Sequence, residues 1–175
     1  MSISSKSSAK ISSELTKLFG DRRPTRWVTR ERPKIDRIAC PWLVLRFIDP
    51  KAEFLYVPAK EVFATAEREK AVAYDIPSAP LAHDEGNCTF DAFVERFGLS
   101  APPLDRLATI VRAADTSRLD LAPEAPGLYA VSLGLSHMFS DDHEMLRHGL
   151  VVYDALYAWI LKAQDETHAW PPKTQ

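Results

Sequence analysis

The hydrophobic period of this 175-residue chain switches once, and the switch leaves few folds open. Between residues 26 and 76, short strand-like and short helical runs alternate. Arg26-Trp27-Val28-Thr29-Arg30 alternates polar and apolar side chains and reads as a strand, which Arg32-Pro33 breaks. Pro41 suits the first position of a helix, where its missing N–H costs nothing, so a helix is expected from Pro41 to about Ile48, stopped by Asp49-Pro50. Glu53-Phe54-Leu55-Tyr56-Val57 reads as a second strand, Glu61 to Lys70 as a helix, and Val72-Ala73-Tyr74-Asp75-Ile76 as a third strand. After Cys88 every periodic run is helical. Thr89 can cap a helix that Gly98 ends, and residues 102–114 carry Leu104, Leu107, Ile110 and Val111 on one face. Residues 123–139 are apolar nearly all round, which predicts a buried helix. Asp141 and Glu144 have capping-box spacing at the start of a last helix through Ile160. The expected class is α+β: a small three-stranded sheet, mixed or parallel, with helices in the first half, and a helical cluster in the second.

One folded domain is expected over residues 26–162, with a polar tail from 163 to 175. Residues 1–25 are rich in Ser and Lys; Ile11, Leu15 and Leu18 recur at helical spacing, but a loose arm is the expectation. A net charge of −2 with no basic stripe argues against direct nucleic-acid binding. No apolar run approaches the roughly 18 residues of a membrane span. With no apolar signal core and two cysteines far apart, a cytoplasmic location with reduced thiols is expected.

Three clusters can carry chemistry. If Cys40 caps a helix at Pro41, the helix dipole and Arg37 favour its thiolate, a candidate redox thiol; otherwise it is a small buried residue beside Trp42. His83, Asp84, Glu85, Cys88 and Asp91 lie in a loop that runs into a helix start, where several could curl around one ion; the plain alternative is a solvated loop. Asp142 and His143 sit at the start of the last helix, and a neutral, ligating His143 suits that positive end better than a charged one. Together His83, Asp91 and His143, with Asp142 and Cys88 next, form a candidate set for a single iron, zinc or manganese ion. Arg37, Arg112 and the helix end at Cys40 form a candidate oxyanion site, although Arg112 also fits simply as the basic end of its helix.

Several longer stretches share a source. Trp27-Val28-Thr29-Arg30, Ile35-Asp36-Arg37-Ile38-Ala39-Cys40-Pro41-Trp42, Phe47-Ile48-Asp49-Pro50 and Glu53-Phe54-Leu55-Tyr56-Val57 occur in order. They are followed by His83, Cys88-Thr89-Phe90-Asp91, Ile110-Val111-Arg112-Ala113-Ala114-Asp115-Thr116, Asp141-Asp142-His143 and Tyr153-Asp154-Ala155-Leu156-Tyr157. This pattern resembles the C-terminal domain of the chromate-resistance protein ChrB, over about residues 26–160. The resemblance implies a role in chromate resistance or its regulation; joined to the clusters above, it makes a chromate-resistance accessory domain that binds a metal ion or a chromate-like oxyanion the expected function. It also leaves open a metal-dependent redox or hydrolytic enzyme, and a regulatory interaction module with a protein partner. Full-length members carry an N-terminal winged-helix domain, for which a 25-residue arm is too short, so direct DNA binding is not expected. A homodimer stays open.

Overall fold

A computed structural model of the chain describes residues 5–83 and 86–166. Strands β1 (Arg26–Arg30), β2 (Glu53–Val57) and β3 (Val72–Ala73) form a parallel sheet in the order β2-β1-β3. A central parallel strand must be covered on both faces, and β1 is: Trp27, Val28 and Thr29 are all buried. On the Val28 side, α3 (Val62–Glu69) supplies Val62 to a small cluster with Ala73 and Ile76. On the Trp27 side lies the main core. There α4 (Thr89–Phe97) brings Phe93 to 5.3 Å from the Trp27 ring. Beyond it stack three helices, 102–115, 125–138 and 142–162, so the expected α+β arrangement holds and the sheet is parallel.

Four local expectations are corrected. First, the N-terminal arm is not loose. Residues 5–19 form α1 (Ser5–Phe19), which buries Ile11, Leu15 and Phe19; Phe19 meets the Trp27 ring edge-on at 5.0 Å. Helical spacing outweighs the Ser-rich composition because the open side of Trp27 needs a cover.

Second, the next helix, α2 (Asp36–Leu43), begins five residues before Pro41 and continues as a π-helical turn over Val44–Ile48. An interior proline leaves the carbonyl four residues earlier without its helical donor. Here that carbonyl belongs to Arg37, and the Tyr56 hydroxyl donates to it at 3.0 Å. Tertiary structure thus supplies what local rules say is missing.

Third, β3 ends at Ala73 rather than Ile76. Tyr74 makes only an isolated bridge to Leu81, and Asp75 turns the chain at φ 52°.

Fourth, the apolar run at 123–139 is not buried. It forms α6 (Ala125–Met138), after α5 (Pro102–Asp115), and only Ala125, Leu128 and Ser132 are buried; Val131 and Met138 face outward. The last helix, α7 (Asp142–Lys162), is capped as expected, with the Asp141 carboxylate accepting from Glu144 N–H at 2.7 Å. It passes α2 closely: a Cβ on Gly149 would stand 2.6 Å from Ile38 Cγ2. The tail beyond residue 166 lies outside the described residues.

Candidate functional site

Parallel sheets leave a crevice beyond the carboxyl ends of their strands, where the chain turns into helices. In this chain a cleft of about 290 Å³ opens there. Arg30 ends β1, Lys34 and Ile35 lie in the loop to α2, and Arg37 sits in the first turn of α2. Asp75 follows β3, Asp115 ends α5, Tyr129 and Ser132 come from α6, and His83 is at the rim.

The backbone is held out of its preferred basins at two of these positions. Ile35 has φ 37° and Asp75 φ 52°. A positive φ is costly for a β-branched residue and survives only where surroundings over-determine it. Ile35 meets that condition: its N–H donates to Ser132 Oγ at 3.1 Å, and its carbonyl accepts from the Tyr153 hydroxyl at 3.1 Å. Helices α6 and α7 therefore pin the loop that carries Lys34 and aims α2.

Charge is organised around Asp75. Its Oδ2 lies 3.2 Å from Arg30 Nη2 and 3.3 Å from Arg37 Nε, while Oδ1 accepts from Thr89 Oγ1 at 2.9 Å. One buried carboxylate thus fixes two guanidinium groups. Arg30 Nε is itself buried and has no hydrogen-bond partner among the described residues. Behind Asp75 lies Asp36, 1% exposed, whose Oδ2 accepts from Thr89 N–H and whose Oδ1 has no partner. Burial pushes the Asp36 carboxyl well above the usual range, and Asp115 and Asp75 push it the same way. Burial also raises Asp115, with Asp75 adding to it, against the opposing Asp36 N–H, His83 and Arg37. The site therefore holds permanent cations beside carboxyl groups that resist ionising.

Of the residues singled out in the sequence, only Arg37 and His83 line this cleft. Cys40 is no helix cap: it is the fifth residue of α2, fully buried, and burial followed by the Asp36 charge drives its thiol far above its ordinary range. That environment does not make an exposed redox thiolate. Arg112 is engaged elsewhere, pairing with Asp91 Oδ1 at 2.8 Å, while Asp91 Oδ2 accepts from Cys88 N–H at 2.9 Å to cap α4. Cys88, not Thr89, takes the cap position of that helix, and its buried thiol is raised in turn. His143 Nε2 hydrogen-bonds the Phe54 carbonyl at 2.8 Å, beside the Tyr56 ring. Asp142 accepts from Arg32 N–H at 3.1 Å and closes the α6–α7 corner. The set His83, Asp91 and His143 is not gathered, and among the described residues no three His, Cys, Asp or Glu side chains stand ready to hold an ion. Asp84 and Glu85 of the expected loop cluster lie outside the described residues.

The model of the ChrB C-terminal domain matches residues 27–160, from β1 through α7. The chain belongs to the ChrB C-terminal domain family. Protein ChrB of Cupriavidus metallidurans is 33% identical over 132 residues, which cover 75% of this chain and 39% of that relative. No solved structure matches. The ChrB-like segment contains every residue that lines the cleft, whereas α1 precedes it. Sequence reasoning missed Arg30, Lys34 and Asp75 as site residues. The signal available was positional: Arg30 ends a parallel strand, and Lys34 and Asp75 follow the ends of two such strands, where these sheets place ligands.

Proposed function

We propose that this ChrB C-terminal domain serves chromate resistance as a cytoplasmic accessory domain, and that its cleft binds a tetrahedral oxyanion such as chromate. The family supports the chromate-resistance role. The observation that carries the anion site is the convergence of Arg30, Lys34, Arg37 and His83 on one cleft, with Arg30 Nε unpartnered among the described residues. Guanidinium groups offer paired N–H donors that match oxyanion geometry. Asp75 holds two of them in place, which lowers the ordering cost of binding. Asp115, protonated more readily than an ordinary carboxyl, can donate to an anion oxygen instead of repelling it.

Calorimetric titration with chromate, and with sulfate as a redox-inert dianion of the same shape, tests this. Replacing Arg30 or Arg37 by Ala is expected to weaken binding about tenfold or more, the worth of one charge-assisted hydrogen bond. Arg112→Ala, outside the cleft, should bind like the parent. Sulfate affinity should fall as pH rises above the usual carboxylate range, because ionised Asp115 repels the anion. No binding at millimolar anion, or equal losses for Arg37→Ala and Arg112→Ala, would reject the cleft as the site.

A further inference from the structure

Helix α6 is apolar nearly all round, yet only one side of it is covered. Among the described residues, the exposed large hydrophobic side chains include Val131 and Met138 on α6 and Val151 and Leu161 on α7; Tyr129 of α6 belongs to the cleft instead, and Phe63 lies elsewhere. Between the two helices runs a groove of about 580 Å³ lined by Val131, Leu135, Val151, Val152, Leu156 and Trp159, among others. Scattered apolar residues on a surface need no explanation, but a contiguous patch over two helices does.

The pattern on α7 indicates what covers it. Its buried face is Met145, Leu146, Gly149, Tyr153, Tyr157 and Ile160. A second stripe faces away from the core: Glu144, His148, Val151, Ala155, Ala158 and Lys162, all exposed. Successive steps of four, three, four, three and four residues keep this stripe on one side of the helix and are the spacing of a helix–helix seam. The order of steps reads the same in both directions. Like steps therefore meet in an antiparallel pairing as well as in a parallel one, and the charges choose between them: antiparallel packing sets Val151 opposite Ala155 and brings Glu144, which also pairs with Arg147 of its own helix at 3.3 Å, opposite Lys162 at both ends. A parallel pairing would set Glu144 against Glu144.

We propose that this face closes on a second copy of the chain, α7 packing antiparallel to α7 about a two-fold axis between Val151 and Ala155, with α6 flanking the seam. Such an interface uses the same patch on both copies, as two-fold symmetry requires. The size fits. The 21 residues of α7 extend about 32 Å, and with α6 beside it the flat face is on the order of 600 Å². That approaches the roughly 800 Å² per partner of a stable interface, before side-chain relief is counted. The small Ala155 and Ala158 allow close approach, and Val151 and Trp159 provide the apolar bulk. This inference is independent of the anion site.

Light scattering on the purified chain at tens of micromolar should give twice the 19.7 kDa protomer mass. Val151→Glu replaces a side chain 65% exposed in the protomer, so it should leave the circular dichroism unchanged yet weaken the dimer at least about a hundredfold, the contact being lost twice. Glu144→Lys should weaken it as well, and Glu144→Lys with Lys162→Glu should restore it. An equimolar mixture of Val151→Cys and Ala155→Cys chains should form a disulfide between copies on oxidation, undisturbed by the buried Cys40 and Cys88. A monomer overturns the proposal and leaves the face to another partner. A dimer indifferent to Val151→Glu, or one whose charge reversal is not restored, overturns it equally.

Discussion

At Asp36, a carboxyl group is placed where water cannot reach it, between the Thr89 N–H and the carboxylates of Asp75 and Asp115. Because its native form holds the proton to a higher pH than the unfolded chain does, the native state carries more protons across that window. Stability must then fall as pH rises from the usual carboxylate range through the raised one, and stay lowered above it. Asp36→Asn keeps an acceptor for Thr89 N–H and cannot ionise. It is expected to raise the thermal midpoint at pH 7 by about 2–4 °C, the shift that about 1 kcal/mol gives in a chain of this size. It should also flatten the pH dependence, as calorimetry across pH 4–8 would show. Unchanged or lower stability at pH 7 would mean that the ionised carboxylate is in fact held in place. In the sequence Asp36 stands next to Arg37. Only the fold gives Arg37 to Asp75 and leaves Asp36 behind them.

Helix α2 shows how an element can break a local rule when another element compensates. Pro41 would ordinarily mark a helix start, and the sequence reading places one there. The structure extends the helix back to Asp36 because the Tyr56 hydroxyl on β2 takes the free Arg37 carbonyl. Tyr56→Phe should therefore cost about 1 kcal/mol in denaturant unfolding, from the unpaired, half-buried acceptor. In a Pro41→Ala background the helix regains its own donor, and Tyr56→Phe should cost markedly less. Equal costs in both backgrounds would break the proposed link between the two residues. The same misplaced start explains why Cys40 looked like a reactive cap. Moved five residues into the helix, it faces the core, and its neighbours raise its thiol rather than activate it.

For the whole molecule, the consequential addition is α1. It covers the aromatic cluster of Trp27, Phe93 and Phe97 from the outside, and Lys10 reaches the Glu95 carbonyl at 2.9 Å. If that docking is as tight as the burial of Leu15 indicates, Leu15→Ala should destabilise the domain by about 2–3 kcal/mol. A loose arm would make the same change cost under about 0.5 kcal/mol, so one guanidinium titration separates the two. Helix α1 lies outside the ChrB-like segment, yet it packs on that segment's core.

The alternation of strands and helices up to residue 76, the helical remainder and the caps at Gly98 and Asp141 were legible in the sequence, because periodicity and capping act over a few residues. The family was legible for a similar reason, since long ordered stretches of residues carry it. The site was not. Arg30 and Lys34 are far along the chain from Asp75 and Asp115, and they meet only because the parallel strands end on the same side, beneath the end of α5 and a loop pinned by Ser132 and Tyr153. Nor does an apolar period say whether a helix is covered by its own chain. The composition of α6 calls for burial, but in this fold α5 and α7 reach only one side of it, and the other side is left for whatever meets it from outside.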